Sequence, residues 1–179
     1  MSLLFNLNYL LGLSGLILLA LTIVLFVDYF YYQRRFYLRF ISKYVWFILL
    51  LVTVGSVFLS LLYSEYFGFV PCSLCWLQRI ALYPQALFAL MAFKTKENLY
   101  YPMYSLGLAA IGLLVAVYHY VYQLLPKEVL ESGVMPCLAD GSSDCGTIIM
   151  NEFGFVTFPF MSAVTFAFLI ILYLNLRKG

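Results

Sequence analysis

Two cysteines three residues apart are the side chains in this sequence with the clearest chemical potential. They are Cys72 and Cys75, and Arg79 follows four residues after the second. In a helix that begins near Pro71, all three would lie on one face, because residues three and four positions apart are neighbours on a helix surface. The helix dipole and the guanidinium would both lower the pKa of a cysteine there and favour the thiolate, which attacks disulfides. The spacing therefore suggests thiol–disulfide exchange, although a Cys-X-X-Cys on its own is equally typical of metal sites.

The other two cysteines, Cys137 and Cys145, lie in a polar segment at residues 125–154. Glycine, serine and aspartate between them favour turns, so a disulfide within this pair is sterically easy. Such a disulfide could be a structural staple or a second redox pair.

The composition identifies the surroundings in which these cysteines must work. The chain has 179 residues, of which 65% are hydrophobic and 10% charged, and its mean hydropathy is +0.97. Soluble domains carry about a quarter charged residues, so this is an integral membrane protein. Apolar stretches close to the roughly 20 residues that a membrane-spanning helix needs occur at residues 9–27, 44–63, 72–93, 100–124 and 155–176. Because the backbone must satisfy its own hydrogen bonds in lipid, we predict an all-α membrane protein.

The basic residues predict the orientation of these helices. Eight of the ten lie on one side of the predicted membrane, which the positive-inside rule makes cytoplasmic. The N-terminus and all four cysteines then lie outside, where disulfides persist. The first apolar stretch is expected to be a retained helix, since it lacks a basic n-region and a cleavage site of small residues. The eight residues are Arg34, Arg35, Arg39, Lys43, Lys94, Lys96, Arg177 and Lys178.

Two ionisable side chains fall within the predicted spans near their outer ends. Arg79 lies in the third stretch, and His119, the single histidine, lies in the fourth. Ionisable groups in a membrane are costly, which makes both of them candidate functional residues. The simpler interpretations are an arginine that snorkels to the lipid headgroups and a histidine that is a satisfied polar group.

Two cysteine pairs in different surroundings predict two redox stations. One pair begins a membrane helix beside an arginine, and the other lies on a loop that a soluble protein could reach. Such a layout suits the passage of electrons from a soluble dithiol into the membrane, each step being thiolate attack through a mixed disulfide. The last acceptor must take two electrons in an apolar site, and a lipid-soluble quinone meets that demand.

Several segments together resemble the DsbB-type disulfide bond formation proteins, including their short-loop forms. The resemblance covers about residues 44–176 and is more specific than the Cys-X-X-Cys alone. The matching segments are residues 71–79 with Tyr83 and Pro84 after them, His119 followed by Gln123 and Pro126, the Cys137 and Cys145 pair, and residues 153–160.

The resemblance implies a fold, an activity and a location. The fold would be a four-helix transmembrane bundle over residues 44–179, preceded at residues 1–43 by an extra N-terminal transmembrane helix and a basic cytoplasmic loop. The activity would be that of a thiol:quinone oxidoreductase in the bacterial cytoplasmic membrane. It would reoxidise a thioredoxin-like (DsbA-like) thiol oxidase and reduce ubiquinone or menaquinone. The family usually has four spans, so the resemblance says nothing of the extra helix.

The resemblance also implies a role for each cysteine. Cys137 would be attacked by the partner's thiolate, and Cys145 would then exchange with Cys72. Cys75 would become the thiolate that lies against the quinone ring. The second pair is more closely spaced than in long-loop members, which leaves less slack for Cys145 to reach Cys72 and leaves the order of exchanges open.

The remaining two candidate residues would bind the quinone. The resemblance implies that Arg79 stabilises the Cys75 thiolate and polarises a quinone oxygen, and that His119 lines the pocket. Charge stabilisation in a dry site is the physical basis of the arginine's expected role.

Three other interpretations remain open at this point. A vitamin K epoxide reductase-like quinone reductase also uses a helical bundle and a Cys-X-X-Cys, although the arginine and histidine favour the DsbB type. A non-enzymatic metal protein could hold zinc or copper on four thiolates, but an oxidising exterior and a single histidine offer it little support. A structural subunit could use its cysteines as staples. Zinc content and the thiol state with and without quinone would discriminate among these.

Overall fold

The computed structural model describes residues 2–95, 100–125 and 145–177. These residues form five α-helices: α1 (Ser2–Phe30), α2 (Val45–Leu61), α3 (Ser73–Thr95), α4 (Tyr100–Leu124) and α5 (Phe158–Arg177). Short π-helical turns lie at Tyr37–Ile41 and Leu62–Tyr66. No strand occurs in these residues, apart from an isolated antiparallel bridge between Glu152 and Val156. The predicted all-α membrane fold is therefore confirmed.

Four helices in the described ranges are long and apolar enough to cross a membrane. They are Leu4–Phe30, Val45–Tyr66, Tyr100–Leu124 and Phe158–Arg177. Helix α3 matches them in length, with 23 residues, but is more polar and is not among the four. Its Arg79 and Gln85 are buried, so the polar face of α3 is turned into the bundle. Pro84 lies inside α3 without ending it.

Helices α2 to α5 pack in the order in which they follow one another along the chain. Helix α3 lies between α2 and α4, and α5 packs most extensively against α4. Helices α2 and α5 touch only briefly, whereas α1 packs along α5. The side chains buried in α5 form the centre of the core, and large apolar side chains elsewhere face outward, as expected in lipid. The fully or nearly fully buried members from α5 are Phe166, Phe168, Leu169, Ile171, Leu172 and Tyr173.

The close approach of α4 and α5 depends on Gly112. A Cβ atom at this position would lie 2.4 Å from the ring of Phe166. That ring is 1% exposed and has little room to move. A small residue in a membrane helix commonly lets a neighbouring helix approach in this way.

We expect Gly112→Ala to destabilise the protein and Gly107→Ala, in the same helix, to leave it unchanged or more stable. Overpacking typically costs about 1–3 kcal/mol, which outweighs the roughly 0.5–1 kcal/mol that alanine gains over glycine in a helix. A Cβ at Gly107 meets nothing within 4 Å. Thermal unfolding in detergent would measure this, with a loss of roughly 2–4 °C per kcal/mol for a chain of this size. Equal melting temperatures for the two variants would contradict the assigned packing.

The end of the bundle that carries basic residues is held by polar contacts around the connection between α1 and α2. The Asp28 carboxylate accepts hydrogen bonds from the backbone N–H groups of Phe36 and Tyr37, each at 2.9 Å. The Arg34 Nη2 atom donates to the carbonyl oxygen of Asn175, near the end of α5, at 2.9 Å. The described cysteines therefore lie at the opposite end of the bundle from Arg34.

Candidate functional site

The first cysteine pair lies where α3 begins. Cys72 immediately precedes the helix and Cys75 lies in its first turn, close to the predicted start at Pro71. Both are free thiols, and their Sγ atoms are 2.9 Å apart. The backbone N–H of Cys75 also points at the Cys72 Sγ, 3.4 Å away. Because a disulfide has an S–S distance of about 2.05 Å, a small movement would join the pair.

Cys145, from the second pair, lies beside this helix start. It is disulfide-bonded and is 1% exposed. It belongs to the same buried cluster as Cys72, Leu74 and Tyr122, with Cys75 packed against that cluster. Cys137 lies outside the described residues. The structure thus brings one cysteine of the second pair against the first pair, even though they are far apart in sequence.

His119 connects the two cysteine segments. Its Nε2 atom lies 3.1 Å from the carbonyl oxygen of Cys145 and 3.9 Å from the Cys72 Sγ, and its Nδ1 atom lies 3.1 Å from the Gln78 Nε2. A carbonyl oxygen only accepts, so we assign the hydrogen to Nε2, and the Gln78 amide then donates to Nδ1. The side chain is a satisfied polar group, as one interpretation of the sequence held, and it also orients the thiols.

Gln123, one turn further along α4, also hydrogen-bonds to the backbone of the segment that contains Cys145. Its Nε2 atom donates to the carbonyl oxygens of Cys145 at 3.4 Å and of Thr147 at 3.3 Å. Side chains of α4 therefore hold the backbone of the Cys145 segment at two points.

Arg79 is buried in the bundle rather than snorkelling to its surface. It is 8% exposed. Its Nε atom donates to the Ser60 Oγ at 2.9 Å, and its Nη2 donates to the Ser60 carbonyl oxygen at 2.8 Å. The guanidinium carbon also lies 5.2 Å from the centre of the Trp76 ring. Within the described ranges its Nη1 atom makes no hydrogen bond, so both N–H groups of Nη1 remain for a ligand.

A cavity of about 650 Å³ connects these groups. Cys72, Cys75, Arg79 and His119 all line it, and together with Cys145 they are all the predicted site residues that the structure describes. Cys145 lines it as well. Pockets of roughly 300–1,000 Å³ with apolar walls and few polar groups are typical of sites for small organic ligands.

The remainder of the wall suits a flat, apolar ligand that carries polar oxygens. Much of it is apolar, for instance Leu59, Leu82 and Phe158. Thr157 Oγ1 and Gln123 Oε1 line it too, and both are buried without a hydrogen-bond partner in the described part of the chain. The Arg79 and Thr157 donors with apolar walls between them fit a quinone.

Neighbouring groups lower the pKa of the Cys72 thiol. The hydrogen bond from the Cys75 thiol is the largest influence and lowers the pKa of Cys72 well below its ordinary value. Burial opposes this, and hydrogen bonds from the His119 ring and from the backbone N–H of Cys75 lower the pKa further. The sequence attributes a lowered pKa at this position to the helix dipole and Arg79, and the causes in the structure are different. The neighbouring thiol and the histidine, rather than Arg79, act on Cys72.

We expect Cys72 to be alkylated at nearly constant rate from pH 8.5 down to pH 6. An ordinary thiol, with a pKa of about 8.5, would slow more than a hundredfold over that range. A lowered pKa means that the thiolate persists until the pH falls to that pKa. The test is the iodoacetamide rate of Cys75→Ser, which keeps a donor, against Cys75→Ala, which removes it. A midpoint near pH 8.5 in Cys75→Ser, or equal midpoints in the two variants, would contradict the assignment.

The thiols and the histidine also form the cluster with the closest likeness to a metal site. The Sγ atoms of Cys72 and Cys75 and the Nε2 of His119 lie within 4.8 Å of one another. Zinc would require a deprotonated Nε2, yet that atom carries the hydrogen toward the Cys145 carbonyl. Since Cys145 is disulfide-bonded, the arrangement of four thiolates that the sequence left open is not the one in this structure.

Comparison with known proteins gives matches to disulfide formation proteins. The family model described as "Disulfide bond formation protein DsbB" matches residues 42–176. The chain is 37% identical over 134 residues to a "Probable disulfide formation protein" of Oceanobacillus iheyensis, covering 75% of this chain and 86% of that one. It is 35% identical over 135 residues to "Disulfide bond formation protein C" of Bacillus subtilis, covering 75% and 89%. No solved structure matches the chain significantly. By this coverage and identity, the chain belongs to the DsbB family of disulfide bond formation proteins.

Proposed function

We propose that this disulfide-formation membrane protein is a thiol:quinone oxidoreductase. It would take two electrons from a thioredoxin-like, DsbA-like thiol oxidase and pass them to a membrane quinone. The observation that carries the proposal is the cavity. It holds two free thiols and a buried arginine, and its lining includes the disulfide-bonded Cys145.

The cysteine states suggest the sequence of exchanges. The partner's thiolate would attack Cys137, forming a mixed disulfide and releasing the Cys145 thiolate. Cys145 would attack a Cys72–Cys75 disulfide at Cys72, which frees Cys75 as a thiolate and joins Cys145 to Cys72. The partner's second thiolate would then attack the mixed disulfide, which releases the oxidised partner and the Cys137 thiolate. Cys137 would attack Cys145 in the disulfide that joins Cys145 to Cys72, which restores the Cys137–Cys145 disulfide and leaves Cys72 and Cys75 as a dithiol. The reduced first pair beside a disulfide-bonded Cys145 corresponds to this last state.

The chain's own groups would then deliver the electrons. A bound quinone accepts two electrons and two protons and becomes the quinol. Oxidation of the Cys72 and Cys75 pair to a disulfide releases two electrons and the Cys75 proton. The second proton comes from solvent, to which Cys72 gave its own on becoming a thiolate, so the step balances. Arg79 would hold a quinone oxygen through its Nη1 hydrogens, and His119 would keep the Cys72 sulfur in line with Cys75. The apolar wall excludes water, which strengthens the effect of the guanidinium.

We also propose that the protein lies in the bacterial cytoplasmic membrane with its cysteine end outside. The placement of Arg34 and Arg177 at the opposite end of the bundle supports this, because the positive-inside rule makes their side cytoplasmic. A soluble thiol oxidase outside the cell would then reach the second pair directly.

One assay tests the activity and the orientation together. A reduced thioredoxin-like oxidase, which cannot cross the membrane, is added outside sealed right-side-out vesicles that contain the protein and either ubiquinone or menaquinone analogues. We expect the oxidase to be reoxidised while an equal amount of quinol forms. Vesicles without the protein are the control. If no quinol formed, the proposed activity would be overturned. If quinol formed only after the vesicles were opened, the proposed orientation would be overturned.

Cys137 should be the residue that the partner attacks. A reduced partner that lacks its second cysteine is expected to form a mixed disulfide with the unmodified protein, because its thiolate breaks the disulfide between Cys137 and Cys145 and releases the Cys145 thiolate. It should form none with Cys137→Ala, which has no sulfur at that position to attack. Non-reducing gels would measure the complex. A normal yield in Cys137→Ala would remove Cys137 from this role.

A further inference from the structure

We propose that α1 forms a fifth wall of the cavity, and that Asn8 is a positioning residue that holds Tyr63 in that wall. This inference rests on the proposed function, since it assigns part of the quinone site to a helix that the family match, beginning at residue 42, does not include.

Helix α1 is closely packed against the chain around the start of α5. A Cβ at Gly12 would lie 3.1 Å from the Glu152 Cβ, and a Cβ at Gly15 would lie 3.4 Å from the Met161 Cγ. The rings of Tyr9 and Phe153 lie 5.7 Å apart between centroids. This half of α1 is therefore fixed at the cysteine end of the bundle.

The same half of α1 lies across the contact between α2 and α5, which is the least extensive contact between neighbouring helices of the bundle. Helices α2 and α5 contact each other at few residues, whereas α2 and α3, α3 and α4, and α4 and α5 pack closely. Leu11 of α1 lines the cavity directly. Asn8, one turn earlier, accepts a hydrogen bond at its Oδ1 from the Tyr63 hydroxyl, in the π-helical turn after α2. Packed on α5 and bonded to the end of α2, α1 joins the two helices across the cavity.

Tyr63 is the side chain on which this bond acts. It is 6% exposed and lines the cavity. Its ring meets the Phe158 ring edge-on, with centroids 4.7 Å apart, and also packs near Phe69. A tyrosine hydroxyl has few alternative partners in an apolar wall, so the loss of Asn8 would free the ring to turn. The shape of the cavity between α2 and α5 therefore depends on a residue of the extra helix.

The test compares two asparagines on the same helix. Asn8→Leu removes the acceptor, whereas Asn6→Leu makes the same change at an exposed position. We expect Asn8→Leu to raise the KM for quinone by about threefold to tenfold, the range set by one lost hydrogen bond, with kcat little changed. Tyr63→Phe should do the same, and the double variant should be no worse than either one. Asn6→Leu should stay within about twofold of the unmodified protein by the same reasoning.

A second measurement does not depend on quinone reduction. In a Cys72→Ser background, a lipid-soluble maleimide reports how readily a ligand in the membrane reaches Cys75. We expect Asn8→Leu to speed this labelling by about threefold or more and Asn6→Leu to leave it unchanged. If the unmodified protein reduced no quinone, the proposed function would fail, and this labelling alone would decide the role of α1.

Two results would overturn the inference. The first is that Asn8→Leu and Asn6→Leu agree in both KM and labelling rate. The second is that Asn8→Leu lowers kcat at constant KM together with the melting temperature, which would make α1 a general support of the fold. Tyr63→Phe removes only a hydroxyl, so it keeps the test valid should Asn8→Leu fold poorly.

Discussion

Serine in place of Cys75 is expected to abolish quinone reduction while the second cysteine pair remains intact. The Sγ atoms of Cys72 and Cys75 are 2.9 Å apart in the cavity, and the two-electron step needs both. A serine hydroxyl is close in size to a thiol but cannot form a disulfide, so turnover should fall at least about a thousandfold, as when a catalytic nucleophile is removed. Cys72→Ser should fall equally.

The measurement is quinol formation in detergent with a reduced thioredoxin-like partner and a ubiquinone analogue. Formation of the mixed disulfide between the partner and the Cys75→Ser protein serves as a control, because Cys137 and Cys145 are unchanged in this variant. Turnover in either serine variant equal to that of the unmodified protein would show that the first cysteine pair takes no part in the reaction.

Alanine in place of Arg79 is expected to lower kcat/KM for quinone by about a hundredfold, while binding of the partner is unchanged. A buried donor aimed at developing negative charge is typically worth this much. The guanidinium is fixed in the cavity wall by two hydrogen bonds to Ser60 and by the Trp76 ring, and neither hydrogen bond uses Nη1.

Two variants separate charge from geometry at this position. Arg79→Lys keeps the charge but cannot form both bonds to Ser60, so it should recover only part of the activity. Ser60→Ala removes the Oγ acceptor and leaves the carbonyl, so it should cost less than Arg79→Ala. Quinone affinity and rate that do not change in Arg79→Ala would contradict the assigned role.

The sequence predicted the features that depend on local pattern. Apolar runs of about 20 residues indicated the helices, and the positions of the basic residues placed Arg34 and the cysteines at opposite ends. The spacing of Cys72, Cys75 and Arg79 predicted a shared helix face, and the structure has all three in the cavity wall. Each of these predictions depends either on residues that are neighbours along one helix or on the number of basic residues on each side of the membrane.

The parts that the sequence did not predict depend on contacts between helices. Ser60 binds Arg79, Gln78 binds His119 and Asn8 binds Tyr63, and in each pair the partners come from different helices or turns. Periodicity does not specify how two helices rotate against each other. A polar residue within an apolar run, such as Gln78, was the one available signal, because membrane helices use such residues to bind their neighbours.

The extra helix shows the same limit more strongly. The resemblance to a family begins near residue 44 and therefore has no counterpart for Asn8 or Leu11. The place of Leu11 in the cavity wall follows from the packing of α1 on α5, which two glycines, Gly12 and Gly15, make close.

A single-turnover experiment tests the central claim most directly. The Cys137→Ala and Cys145→Ala double variant, in which only Cys72 and Cys75 can be oxidised to a disulfide, is reduced, freed of reductant and mixed anaerobically with a ubiquinone or menaquinone analogue, with no partner present. We expect one quinol per chain and, with the same time course, the loss of both thiols to a Cys72–Cys75 disulfide. Quinone that remains oxidised with either analogue, while both thiols stay free, would contradict the account.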